Sequence, residues 1–100
     1  MFPCNSMKIQ LRSATNISRI IGSRKTYIDI PELSTLLGLL GELTDIYGQE
    51  FYDAVCDETG YPANKVAILV NGSSAAAIGG VDIQLRDGDD VLILPMLGGG

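Results

Sequence analysis

The chain closes on Gly98-Gly99-Gly100, reached through Pro95-Met96-Leu97 from the apolar run Val91-Leu92-Ile93-Leu94. A glycine run has no side chain to obstruct a narrow cleft, and at about 3.3 Å per extended residue Leu97–Gly100 would reach roughly 13 Å beyond a folded body. The group at the tip would be the α-carboxylate of Gly100, a weak electrophile that reacts only after activation. A terminus delivered in this way suggests a carrier, with Gly98 and Gly99 as the slender part of the tail. Pro95 would form its root. Met96 and Leu97 have no evident place in a core, so they fit either a partner interface or packing back onto the fold.

Little else in the sequence offers chemistry. Histidine is absent, and Cys4 and Cys56 lie far apart with no second pair to build a Cys-x-x-Cys site. Metal binding and His-assisted catalysis are therefore not expected. Cys56 reads as a half-buried structural thiol on a helix and Cys4 as part of a loose end. Asp87, Asp89 and Asp90 read as a turn of solvated acids, with a basic patch on a partner as the alternative. Three nearby acids without further ligands make weak Ca²⁺ coordination.

The composition permits one folded body to carry such a tail. One hundred residues make one domain, and an apolar fraction of 46% is near the globular average. Seven basic and twelve acidic residues give a formal charge of −5, and the basic ones are dispersed except for Arg24-Lys25. That distribution argues against a nucleic-acid binder, which needs a basic patch to displace counterions, and favours basic protein partners. No apolar stretch approaches the roughly 20 residues of a membrane span. The start, Met1-Phe2-Pro3-Cys4-Asn5-Ser6, has neither the basic nor the apolar region of a leader, so a cytoplasmic protein is expected. Residues 1–6 are expected to be a disordered extension, 7–95 the folded domain and 96–100 a flexible functional tail.

Hydrophobic periodicity supplies the elements that would hold the tail. Met7–Arg12 alternates apolar and polar residues as a half-buried strand does, and Lys25–Ile30 is β-prone. The two would form a first hairpin across Asn16–Gly22, read as a loop or helical turn. After Pro31, Leu33, Leu36, Leu37, Leu40, Leu43 and Tyr47 recur at helical spacing, with Ser34 as N-cap and Gly48 just past the end. Gly38 and Gly41 each cost this helix about 1 kcal/mol relative to Ala, for which close packing on a sheet is the expected reason. Gln49–Thr59 would form a second short helix. Val66–Val70 reads as a central strand turning at Asn71-Gly72, Ser73–Ile78 as a weak strand, and Asp90–Leu94 as the last strand after the Asp87-Gly88-Asp89 turn.

Two strands, a crossover helix and further strands let the first and last strands lie together at the sheet centre, with the helix across one face. This α+β order is that of the ubiquitin-like β-grasp: a mixed sheet of four to five strands, one main helix and a flexible C-terminal glycine tail. Its core candidates are Ile9, Leu11, Ile28, Ile30, Ile68, Val70, Val91 and Ile93.

Several segments resemble one family. Ile68-Leu69-Val70-Asn71-Gly72, Gly79-Gly80-Val81-Asp82, Leu85–Val91 with its Asp-Gly-Asp turn, and Ile93-Leu94-Pro95 followed by the glycines look like the sulfur carriers that include MoaD and ThiS. Ile17-Ser18-Arg19-Ile20-Ile21-Gly22 is similar to the loop after the first strand of MoaD. Gly99-Gly100 fall on the family's terminal glycines and Pro95 on a common proline. Met96 replaces a frequent second proline and Gly98 a small side chain, which implies a looser tail.

The resemblance implies that this is not an enzyme but a carrier and co-substrate. A ubiquitin-activating-type adenylyltransferase (MoeB/ThiF-like) would use ATP to adenylate Gly100, and a sulfur donor would convert it to a thiocarboxylate. A molybdopterin synthase large subunit (MoaE-like) would pass that sulfur to a pterin precursor for the molybdenum or tungsten cofactor. No cofactor is expected to stay bound. Two alternatives share the activation step: conjugation of Gly100 to lysines as a protein modifier, and ThiS-type delivery of sulfur for thiazole synthesis. A plain β-grasp interaction domain would need neither.

Overall fold

The computed structural model describes residues 6–56 and 66–95. Cys4, nearly all of the expected extension and all of residues 96–100 lie outside them. Strand β1 (Ser6–Ser13) leads through helix α1 (Thr15–Ile21) to β2 (Lys25–Pro31), and α2 (Leu36–Tyr47) and α3 (Gln49–Val55) follow. The chain resumes with β3 (Val66–Val70), a two-residue β4 (Ser73–Ser74), α4 (Ala75–Ile78), a 3₁₀ turn at Gly80–Asp82, and β5 (Asp90–Pro95).

One mixed sheet, ordered β2-β1-β5-β3-β4, organises these elements. β1 and β5 run parallel at its centre, with Leu11 opposite Val91 and Ser13 opposite Ile93, while the other neighbours are antiparallel. The period-2 alternation of the strands sends one set of side chains to the helices and the other to the open face. All eight strand residues expected in the core are buried, and Ile9, Val91 and Ile93 are wholly inaccessible. Burial of side chains this size stabilises by about 1.5–3 kcal/mol each, so the central pair is the firmest part of the sheet. At the β3–β4 turn, Asn71 (φ 53°) and Gly72 (φ 87°) both take the left-handed conformation of a two-residue hairpin.

The helices differ from the sequence expectation in ways that packing explains. Of the two readings of Asn16–Gly22 the structure has the helical one: α1 occupies most of it, burying Ile17 and Ile21 and closing on Gly22, whose N–H donates to the Ser18 carbonyl at 2.8 Å. The β1–β2 pair is therefore antiparallel but not a tight hairpin. The N-cap of α2 is Thr35, not Ser34; Thr35 Oγ1 accepts from the Gly38 N–H at 3.2 Å, whereas the Ser34 hydroxyl donates to the Pro31 carbonyl. The buried stripe is Leu36, Leu39, Leu40 and Leu43, so Leu39 joins the three expected leucines on the inner face. Leu37 is left half-buried. Leu33 stays in the turn, 73% exposed and at a φ of 71°.

Gly38 and Gly41 are exposed, and a Cβ on either would meet nothing closer than ordinary van der Waals contact. Close packing is not their reason. Helix α3 stops at Val55, short of the expected Thr59, and Cys56 follows in extended conformation. Cys56 is buried rather than half-buried and lies just beyond the helix. The weak strand expected over Ser73–Ile78 is a two-residue strand followed by a short helix, because Ala75 turns inward to the core and Gly79 ends the run at a φ of 140°.

Candidate functional site

The central strand β5 carries the chain to its C-terminal segment, so the site is built from what surrounds the end of that strand. Val91 and Ile93 anchor it to the core, and Pro95 ends it, half-buried and opposite Val66. β1 has already finished at Ser13, beside Ile93, so a proline lacking an N–H interrupts no ladder on that side. Pro95 is thus a root held by strand pairing. Met96, Leu97, Gly98, Gly99 and Gly100 lie outside the described residues.

Beside that root the open face of the sheet is apolar. Leu92 is opposite Leu69 and Leu94 opposite Ala67, and all four are half-buried. The sequence analysis missed this surface. Its signal was the unbroken apolar character of Val66–Val70 and Val91–Leu94, which supplies hydrophobic side chains to both faces although only one meets a helix.

The three aspartates before and at the start of β5 form a clasp, which corrects the expectation of a solvated acidic turn. Asp87 accepts from the Lys8 backbone N–H at 2.7 Å, and Asp89 accepts from the Arg86 N–H at 2.8 Å and from Asn71 Nδ2 at 3.0 Å. Asp90 receives Arg12 Nη2 at 2.6 Å, Arg12 Nε at 2.8 Å and Gln10 Nε2 at 2.7 Å. Its N–H donates to Asn71 Oδ1 at 2.9 Å. The Arg12 hydrogen bonds hold the Asp90 carboxyl below the usual carboxylate range, against an opposing push from partial burial. The same bonds raise Arg12. β1, the β3–β4 turn and β5 are thereby joined through side chains where β5 begins.

Among the described residues no three or more His, Cys, Asp and Glu side chains are grouped to hold a metal ion. No described helix is long and apolar enough to cross a membrane. What the arrangement offers is a firmly held strand that ends at Pro95 beside an apolar surface.

Comparison with known proteins matches this architecture. The sequence profile described as the ThiS family matches residues 14–100. No curated protein sequence matches the chain. Among solved structures, Haloferax volcanii protein HVO 2177 superposes with a TM-score of 0.86 at 23% identity, over 100% of this chain and 92% of that one. Small archaeal modifier protein 1 of Methanosarcina acetivorans gives 0.76 at 24% identity, over 97% and 100%. A Pyrococcus furiosus chain described as subunit 1 of a molybdopterin converting factor gives 0.74 at 26% identity, over 91% and 99%. The fold they share with this chain is the ubiquitin-like β-grasp.

Proposed function

The chain belongs to the ThiS family of ubiquitin-like sulfur carriers and modifiers, and on that premise we propose that Gly100 is adenylated and converted to a thiocarboxylate that donates sulfur in molybdopterin synthesis. The observation that carries this reading is that the family match continues through residue 100, beyond the end of the strand that roots it. In the reaction the Gly100 carboxylate attacks the α-phosphorus of ATP, and pyrophosphate leaves. A donor's persulfide sulfur displaces AMP, and a thiol reduces the resulting acyl disulfide to release the thiocarboxylate. The activating partner, of the MoeB/ThiF type, and the MoaE-like large subunit supply the catalytic side chains, which agrees with a chain that lacks histidine.

Glycine serves this chemistry because a Cβ at residue 99 or 100 would intrude where the chain threads a narrow active site. Pro95, Met96 and Leu97 form the contact that precedes it. The choice of pathway is supported by the Pyrococcus furiosus neighbour described as a molybdopterin converting factor subunit. A modifier role has its own support in the fold shared with a small archaeal modifier protein, and it would use the same acyl-adenylate with a lysine amine as the final acceptor.

The test is to incubate the chain with its adenylyltransferase, ATP and a sulfide source and to measure intact mass. Exchange of one terminal oxygen for sulfur is expected. Gly100→Ala should fold normally but react more slowly, and deletion of Gly99-Gly100 should abolish the product. Normal thiocarboxylation of the deletion would overturn the reading. Isopeptide bonds between Gly100 and lysines of cellular proteins would instead identify the modifier role.

A further inference from the structure

The net charge of −5 conceals a local reversal of sign. Where β5 hands the chain to residues 96–100, Lys25 lies opposite Arg12, and Arg12 lies opposite Leu92. Next to them the Ser13 N–H donates to the Arg24 carbonyl at 2.9 Å, and Ser13 is itself the neighbour of Ile93. Arg19, Arg24 and Lys25 are exposed, and Arg19 and Arg24 border one shallow hollow with Ser18, Gly22 and Ser23. Arg12 is committed to Asp90, but none of the other three is ion-paired among the described residues. On its far side Arg19 borders a second hollow with Glu50 and Asp53, which marks the limit of the cationic surface. The opposite end of the sheet carries Asp87 and Asp89 in the turn before β5, and Glu32 after β2.

Chain length turns this distribution into a constraint on the partner. Five residues beyond Pro95 span at most about 17 Å, so whatever takes Gly100 into an active site must lie against this end of the molecule. There it meets the ridge of Leu92, Leu94 and Leu69, with cations along the β1–β2 border.

We infer that the protein receiving the C-terminus presents an apolar strip bordered by carboxylates, and that Arg24 and Lys25, with Arg19 beside them, steer and orient the encounter. The inference rests on the carrier reading given above. Exposed border charges of this kind act mainly on the association rate and its salt dependence, while the apolar contact holds the complex. An acidic protein thus meets an acidic partner through the cations of its β1–β2 border.

Pyrophosphate release from MgATP by the adenylyltransferase, with the full chain as varied substrate, tests this at low and high ionic strength. Arg24→Glu/Lys25→Glu is compared with Lys8→Glu/Arg86→Glu, which makes the same charge change at the opposite end. The first is expected to lower kcat/KM about tenfold at low ionic strength through KM, with the deficit shrinking as salt is added. The second should stay within about twofold of the parent. Arg24→Gln/Lys25→Gln should fall between parent and reversal, and it keeps the test decisive if the reversal fails to fold. Equal effects of the two reversals, or none from either, would overturn the inference while leaving the carrier reading intact. RNA retention by the parent that is lost in Arg24→Glu/Lys25→Glu, with kcat/KM unchanged, would overturn it in favour of a nucleic-acid surface. No pyrophosphate release from the parent chain would overturn the carrier reading itself, and the inference with it.

Discussion

At the scale of single residues, Asp90 shows how a position that reads as a solvated acid becomes part of the frame. Its three side-chain hydrogen bonds to Arg12 and Gln10 require the ionised carboxylate. Because the folded-state pKa is lowered, this contribution is complete above the ordinary carboxylate value of about 4 and is lost as pH falls through the lowered one. Denaturant unfolding from neutral pH to about pH 3 should therefore show a smaller loss of stability in Asp90→Asn than in the parent, although the variant starts lower. Identical pH profiles would contradict the assignment. Gly41 makes the opposite case. It lies exposed within α2 with no atom near where a Cβ would go, so Gly41→Ala should raise stability by about 0.5–1 kcal/mol in the same measurement. A loss would mean that the glycine has a packing role after all.

At the scale of elements, the strands were legible in the sequence because period-2 alternation fixes which residues face inward once a strand exists. The position of β5 was legible too, from an apolar run bounded by an Asp-Gly-Asp turn and a proline. The main helix was legible in existence but not in phase. Ser34 and Thr35 are both competent caps, and the buried stripe takes in Leu39 in place of Leu37 while keeping Leu36, Leu40 and Leu43. Tertiary contacts decide it: Leu85 N–H donates to the Ser34 carbonyl at 2.9 Å and Leu36 N–H to the Ile83 carbonyl at 3.0 Å, which pairs an extended Thr35 with Gln84 just before the helix starts. Leu39 rather than Leu33 is consequently a core residue, at 0% against 73% exposure. Leu39→Ala should cost about 2–5 kcal/mol by thermal or denaturant unfolding, whereas Leu33→Ala should change stability by less than about 0.5 kcal/mol. The open-face ridge of Leu69, Leu92 and Leu94 went unread for a related reason: an apolar run does not say which of its residues lacks a covering layer.

At the scale of the whole molecule, the proposed delivery falls to residues that follow the described core. Every buried residue described lies between Met7 and Ile93, and the strand pairing that ends β5 is complete at Pro95. The reading of the C-terminal glycines as chemistry comes from the sequence alone, since residues 98–100 lie outside the described structure. The cationic surface near β5 was not legible, since Lys25 comes opposite Arg12, and so next to Leu92, only through the return of β2 along β1. This division leads to a final prediction. Truncation after Pro95 should leave unfolding free energy within about 0.5 kcal/mol of the parent, because it leaves every described buried residue and the pairing of β5 in place. The same truncation should eliminate thiocarboxylate formation. Its remaining apolar ridge and cations should still compete with the full chain for the adenylyltransferase, giving inhibition that weakens as ionic strength rises. A truncated chain that is stable yet fails to compete would show that recognition resides in residues 96–100 alone, and the folded body would then serve only to hold them.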